Sequence, residues 1–561
     1  MKFTEYVYIR PDFDKIETEF LQLLSQFAAA ETVSIQQQAI DEINAIRKEF
    51  DSMSALCFIR HTIDTRDAYY EAEQNFFDET EPLFAGLIDK YYRALLFSKF
   101  RAELEEQFGA QLFALAECKL KVFSPEVVEQ LQAENKLNSE YQKLTASAQI
   151  TFDGKTLTLP QMVPYLKSPD LSVRKAAHEA KYRFFSEHEQ QFDEIYDKLV
   201  KLRHNIAKKL GYDNFVELGY ARMQRTDYDS AQVAKFRDQV AEHIVPLVTA
   251  MKEQQRKRLG VDELRYYDDK LLFADGGVKP QGDLNWIVAR GREMYTELAP
   301  ETAEFFDFMQ TNELLDLDSK PGKAPGGYCS YIHKYCAPFI FSNFNGTIGD
   351  INVLTHEAGH AFQVYCSFHF EVPEYVGATA ETAEIHSMSM EYFAWPWMER
   401  FFNADAGKYK FEHMTENLMF IPYGVAVDEY QHFVYAHPEA TPSERKSAWR
   451  AVEKKYLPHL NYEGNDYLEQ GGYWQQQMHI YVIPFYYIDY TLAQICALQF
   501  WQRSERDYKA AWAAYLQLCK SGGSQPFTAL LKTVNLRSPF ADGCVQSITG
   551  DIAQWLEQAE V

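Results

Sequence analysis

The sequence predicts a mostly α-helical fold with one small β-sheet. Three observations carry this. Apolar residues recur at helical spacing over long stretches towards both ends. Gly and Pro seldom interrupt those stretches. Short alternating runs are confined to one Gly- and Pro-rich interval, residues 260–345. Within residues 11–145, Leu21, Leu23, Leu24 and Phe27 keep the helical period, as do Leu112, Leu115 and Leu120. Next, Ile150 and Phe152 precede Asp153-Gly154, and Leu157 and Leu159 follow it, which predicts a hairpin. Ser168-Pro169-Asp170 predicts a helix start. That helix runs, with a break, towards Lys209, and Gly211 stops it. Pro321-Gly322-Lys323-Ala324-Pro325-Gly326-Gly327-Tyr328 is a loop, and Pro338 to Phe344 alternates as a strand. Beyond Gly349 the chain is helical to its end, with Asp350 as the expected N-cap. A soft boundary near residue 165 divides an N-terminal helical lobe, 1–165, from a second domain, 166–561.

Composition narrows the function. A chain of 561 residues buries a core without covalent staples. Its net charge of −25 excludes nucleic acid as a partner, because phosphate binding needs clustered Lys and Arg. An acidic interior would instead attract cationic peptides. The eight cysteines are scattered with no C-x-x-C pair, so reduced thiols are expected. No uncharged apolar stretch approaches the roughly 18 residues of a membrane span, and no signal-type apolar region follows Met1. A cytoplasmic protein without membrane contact is expected. The 15% aromatic content reads as filled helix interfaces or as an aromatic-lined channel.

The chemistry concentrates in His356-Glu357-Ala358-Gly359-His360. Two His four residues apart on a helix share a face, one turn apart, as two nitrogen ligands of a tetrahedral zinc require. Glu357 flanks that face and is free to act as a base. Leu354, Ala358, Ala361, Phe362 and Tyr365 supply apolar surface to bury the helix. A third ligand at metzincin spacing is excluded, since Gln363 and Cys366 stand where Gly and His would be needed. Ala380 to Glu391 reads as a second helix. On it Glu381, Glu384, His386 and Glu391 are all chemically competent ligands. Glu384 and Glu391 are seven apart and share a face. Periodicity does not choose between them.

The segment from Phe341 to Glu391 resembles the oligoendopeptidase F and thimet oligopeptidase family of zinc metallopeptidases, which includes Pz-peptidase-like members. The lead-in Pro338-Phe339-Ile340 with Asn345-Gly346-Thr347 is similar to that family. So is the glycine-rich loop Pro321-Gly322-Lys323 with Gly326-Gly327-Tyr328. The resemblance covers residues 165–545, and the N-terminal helices match in length and character. It implies one zinc per chain, held by His356, His360 and Glu384, with Glu391 as the supporting carboxylate. It also implies two helical lobes enclosing a deep channel that admits oligopeptides and excludes folded proteins.

Downstream, His479 to Tyr490 holds four Tyr and one His in twelve residues. Alone, this reads as aromatic packing, with Pro484 at a helix start and Tyr486 and Tyr490 on one face. The resemblance implies hydrogen-bond donors to substrate and oxyanion, carried to His479, Tyr486 and Tyr490, with Tyr487 able to take either role. An extended peptide would add as a strand to residues 339–344, touching Phe341, Asn343, Gly326, Gly327 and Tyr328. The expected activity is hydrolysis of internal bonds of short peptides, with Glu357 deprotonating zinc-bound water. A dipeptidyl carboxypeptidase needs in addition a cationic clamp for the substrate's C-terminus, which the sequence does not reveal. A peptide-binding protein without catalysis has no need of Glu357. Cobalt or manganese also fits two N ligands and one O ligand.

Overall fold

The computed structural model describes residues 1–559. Helix ends follow local capping. Asp12 accepts from Lys15 N–H at the start of Phe13–Ala29, and Asp67 accepts from Tyr69 N–H at the start of Ala68–Leu96. Between them lies the long helix α1, Val33–Ile63. The expected hairpin forms from β1, Ile150–Phe152, and β2, Lys155–Leu157, with Ile150 opposite Leu157. Asp153 and Gly154 take the positive φ values, 50° and 68°, that a tight two-residue turn demands. Asp170 caps α2, Leu171–Glu187, by accepting from Ser172 and Val173 N–H. The chain breaks at His188 and continues as Glu189–Lys209.

The larger sheet has three strands: β3, Leu315–Asp318; β4, Tyr328–Ile332; and β5, Ala337–Phe344. Their order is β3-β5-β4, with β5 parallel to β3 and antiparallel to β4. Sequence pattern did not reveal β3, which is only four residues long. Burial of β5 runs unbroken from Ala337 to Ser342, as a central strand requires. This corrects the expectation that a peptide adds to residues 339–344. Both edges of β5 are already paired, and the outer edge on that side belongs to β4.

Four further helices build the body: α3, Ile348–Ser367; α4, Ala380–Phe393; α5, Ala406–Ala436; and α6, Tyr487–Arg506. They stack in layers. α3 lies on β4 and β5, α4 on α3, α6 on α4, and α5 on α6. α4 is therefore enclosed, and from Glu381 to Phe393 only Ala383 is not buried. Asp350 is not the N-cap of α3. Thr347 holds that position, and Asp350 reaches back to accept from Asn345 N–H (3.0 Å) and Gly346 N–H (2.7 Å). Among the described residues no helix is long and apolar enough to cross a membrane.

The N-terminal helices grip the connection between α3 and α4. Arg47 on α1 pairs with Glu374 at 2.6 Å, and Tyr92 donates to the same carboxylate at 2.6 Å. Both charged side chains are nearly enclosed. Tyr375 donates to Phe108 C=O (2.6 Å) and accepts from Leu112 N–H (2.9 Å). Burial alone would raise the Glu374 pKa, but Arg47 and the hydrogen bonds outweigh it and hold the carboxyl below its ordinary 4.5. Breaking one half of such a pair strands the other charge. Glu374→Ala should lower stability by about 3 kcal/mol, read as a lower urea midpoint at neutral pH. Because the folded pKa is depressed, the wild-type advantage is full above pH 4.5 and shrinks as pH falls through the lowered value. An unchanged midpoint would show that the pair does not join these helices.

Candidate active site

α4 carries four buried carboxyl and imidazole side chains through the core, Glu381, Glu384, His386 and Glu391, and a buried charge is costly unless paired. The geometry that compensates Glu384 starts from Gly359. A Cβ built on Gly359 would lie 2.6 Å from His386 O and 2.7 Å from Ser387 Cα. The two helices thus cross with backbone against backbone, which only glycine permits. The crossing delivers Glu384 to the His pair. Its Oε2 lies 3.4 Å from His356 Nε2 and 3.6 Å from His360 Nε2, and the three donor atoms lie within 4.8 Å of one another. A tetrahedral zinc with bonds of about 2.0–2.1 Å sets its donors about 3.4 Å apart, so this donor set fits the metal. The imidazoles stand edge to face, 5.1 Å between centroids. Their side chains keep 26% and 21% of their surface, so the cluster is open to a ligand.

A second layer fixes how these donors point. Glu391 Oε1 accepts from His356 Nδ1–H at 2.7 Å, which leaves Nε2 as the ring nitrogen that faces Glu384 and His360. Glu391 Oε2 accepts from His413 Nε2–H at 2.5 Å. Trp395 Nε1–H donates to His413 Nδ1 at 3.3 Å, which sets the tautomer that donates to Glu391. Glu384 in turn accepts from Tyr486 O–H and Ser387 O–H, both at 2.9 Å. Burial pushes both carboxyls up, yet their histidine contacts prevail and bring each to about 2. Both are held as carboxylates. Sequence reasoning missed His413 and Trp395, which lie on distant elements and carry no spacing signal.

Glu357 is buried beside this cluster. Burial, with Glu384 and Glu391 near, pushes its carboxyl up to about 7 against the opposing pull of His356. Gly327 faces it: a Cβ there would lie 3.9 Å from Glu357 Oε1. The glycine loop is pinned to the sheet by Lys323. Its enclosed ammonium donates to the Asp316 carboxylate, to Asp318 C=O (2.8 Å) and to Ser342 C=O (2.5 Å). Asn343 Nδ2 also holds the loop, donating to Ala324 and Gly326 C=O at 2.9 Å each. Phe341 is fully buried and stacks on Tyr328 at 4.8 Å, and Tyr328 O–H reaches Thr62 on α1 at 2.6 Å. The side chains of Phe341, Asn343 and Tyr328 are thus engaged within the protein. Of the expected substrate-facing set, Gly327 faces the cluster, and Gly326 has open space where a side chain would stand.

The aromatic run folds as a turn between two helices, and α6 starts at Tyr487, later than Pro484 had suggested. Phe485 adopts φ 68°, costly for a bulky residue by about 1 kcal/mol or more. Gln431 accepts its N–H (2.9 Å), and Arg225 donates to its C=O (2.5 Å) while pairing with Asp489 (2.8 Å). The turn stacks Tyr486 on His479 at 5.7 Å, with Tyr487 at 4.9 Å and Tyr490 at 6.0 Å from the same imidazole. Tyr423 O–H donates to Gln477 Oε1 (2.8 Å), and Gln477 Nε2 donates to His479 Nδ1 (2.7 Å). His479 therefore carries its proton on Nε2. Burial lowers its pKa, partly offset by Glu384, so the ring is neutral near pH 7.

Two histidines and a carboxylate from crossed helices, with an adjacent buried glutamate, define a protein of the H-E-x-x-H class. The sequence pattern of Peptidase family M3 matches residues 164–272 and 302–549, and that of the Peptidase M3 N-terminal domain matches residues 3–123. The chain belongs to peptidase family M3. It is similar to a solved structure of Pz peptidase A with an inhibitor: 59% identity, TM-score 0.94, all of both chains covered. A protein described as oligoendopeptidase F is 57% identical with TM-score 0.94, covering 100% of this chain and 99% of that one. Oligopeptidase PepF of Bacillus subtilis (strain 168) is 24% identical over 428 residues. That match spans 70% of this chain but 60% of the relative, less than two thirds of its length.

Gly359→Ala should force α3 and α4 apart, costing about 1–3 kcal/mol of stability and weakening metal binding. Thermal melts with and without metal would check it, and unchanged values would refute the close crossing. Glu391→Gln should reduce metal affinity about 10–100-fold, because His356 loses its orienting carboxylate. Competition titration with a chromophoric chelator measures this directly.

Proposed function

We propose that this chain is a cytoplasmic zinc oligopeptidase that hydrolyses internal bonds of short peptides. The observation that carries the reading is the Glu357 carboxyl beside three convergent donors, His356, His360 and Glu384. When bound there, zinc supplies Lewis acidity, acidifying water and polarising the scissile carbonyl. Glu357 accepts a proton from the attacking water and returns it to the leaving amine. Burial raises this carboxyl above the ordinary carboxylate range, which favours its taking and returning a proton. His479 Nε2–H and Tyr490 O–H are donors for the developing oxyanion, while Tyr486 holds Glu384. Tyr487 lines the neighbouring cavity and contacts His479.

Substrate backbone runs along the glycine loop, where Gly327 leaves room for the chain to approach Glu357. The free edge of β4 is the surface of the sheet that an extended peptide can join. In this reading residues 1–165 form one lobe and residues 166–561 the catalytic domain, with the substrate channel between them. Similarity to Pz peptidase A and to oligoendopeptidase F supports internal cleavage.

The test is cleavage of an internally quenched decapeptide, with mass spectrometry of the fragments. Internal cuts should vanish with chelator and return with zinc. Glu357→Gln should retain zinc yet lose about 10²–10⁴-fold in kcat. Successive release of dipeptides from one end would replace the endopeptidase reading with an exopeptidase one. Zinc-loaded protein that cleaves nothing would leave only a peptide-binding protein.

A further inference from the structure

A cavity of about 400 Å³ adjoins the His479 turn. Its size lies in the range of ligand pockets. It shares two wall residues with the candidate active site. Tyr487 stands 4.9 Å from the His479 ring, and Gln477 is hydrogen-bonded to that ring. In a chain of net charge −25, the wall of this cavity carries four lysines and a single acid, Asp269.

Three of the lysines have a carboxylate partner, two of them sharing one. Lys252 and Lys270 pair with Asp269 at 2.7 and 3.9 Å, and Lys167 pairs with Glu416 at 3.4 Å. Lys181, on α2, is different. It is surrounded by protein yet keeps accessible surface, as a side chain lining an internal cavity does. No carboxylate lies within ion-pair distance of it among the described residues. Its ammonium donates to Gln476 Oε1 at 2.7 Å and lies 5.0 Å from the ring of Tyr182. Burial and then Lys270 lower its pKa to about 8, so it remains charged at neutral pH. His178, in the same wall, is held neutral by burial and by Lys181. An enclosed ammonium without a counter-charge is costly unless a ligand supplies one.

We propose that this cavity is a carboxylate subsite, in which Lys181 binds a carboxylate of the peptide being cleaved. Gln476 and the rings of Tyr182, Tyr423 and Tyr473 complete it: an amide to orient the ammonium and flat walls for the peptide end. The inference rests on the peptidase reading, because the subsite serves a chain that reaches past His479. A carboxylate anchored here sets how far the cleaved bond lies from the anchored group.

Three quenched peptides of one core sequence test this: a free acid, its C-terminal amide, and an amide with a terminal Glu. Wild type, Lys181→Met and Lys181→Arg are compared by kcat/KM. Peptide Kd is measured by fluorescence anisotropy in the Glu357→Gln background. The wild type should favour the free acid over the plain amide about tenfold or more, through KM, as a charge-assisted contact implies. The ratio should fall towards one in Lys181→Met and persist in Lys181→Arg. If the Glu amide matches the free acid, the site accepts a side-chain carboxylate as well as the chain terminus. If it matches the plain amide, the carboxylate bound is the chain terminus. Equal cleavage of all three by the wild type overturns the subsite and leaves the peptidase reading intact. An unchanged ratio in folded Lys181→Met also overturns it. No cleavage of any peptide overturns both. Should Lys181→Met fail to fold, Lys181→Gln replaces it, and the wild-type ratio alone can still refute the subsite.

Discussion

The crossing of α3 over α4 at Gly359 is the constraint on which the rest depends. Ligand-bearing side chains on separate helices converge only if the helices approach closely, and here backbone touches backbone. That contact brings Glu384 to both histidines and buries α4 along nearly its whole length. Two of the buried carboxylates on this helix are answered within the cluster. Glu384 uses the histidines, Tyr486 and Ser387, while Glu391 uses His356 and His413. The network answers a packing decision made at one residue without a side chain.

A second constraint acts from the opposite wall. Phe485 takes a conformation that bulky residues avoid, held by Gln431 and Arg225. Its turn faces His479 and Tyr486 towards the cluster. Tyr486 then bonds Glu384 directly, so the two walls are joined through one carboxylate. Lys323 and Asn343 do the same for the glycine loop, fastening it from behind and leaving Gly327 as the surface facing Glu357. Several groups around Glu357 are thus already held by partners within the protein.

Local pattern made part of this legible. His356, Glu357 and His360 lie within one helical turn and a half, and their shared face follows from spacing alone. Asp153-Gly154 announced its hairpin, and Asp170 its helix, for equally local reasons. Glu384 was singled out only through a family resemblance, because periodicity placed it on one face with Glu391 and did not choose between them. His413, Trp395 and Lys181 could not be read at all. Their meaning comes from which distant groups they meet, and an amphipathic helix disguises Lys181 as a solvated charge. β5 was misjudged because alternation says that a strand exists, not what pairs with its edges. Asp350 had the right residue type for a cap, but the helix had already begun at Ile348.

The clasp of Arg47 and Tyr92 on Glu374 reaches further than its own contacts. Glu374 sits on the short link between the helix bearing the two histidines and the helix bearing Glu384. The link between the two ligand-bearing helices thus depends on contacts from the N-terminal helices, so loosening those helices loosens the link. A fragment beginning near residue 165 would leave Glu374 without Arg47 and Tyr92, the partners that hold it. The helical N-terminus thus helps to hold, from outside the candidate site, the elements that carry it.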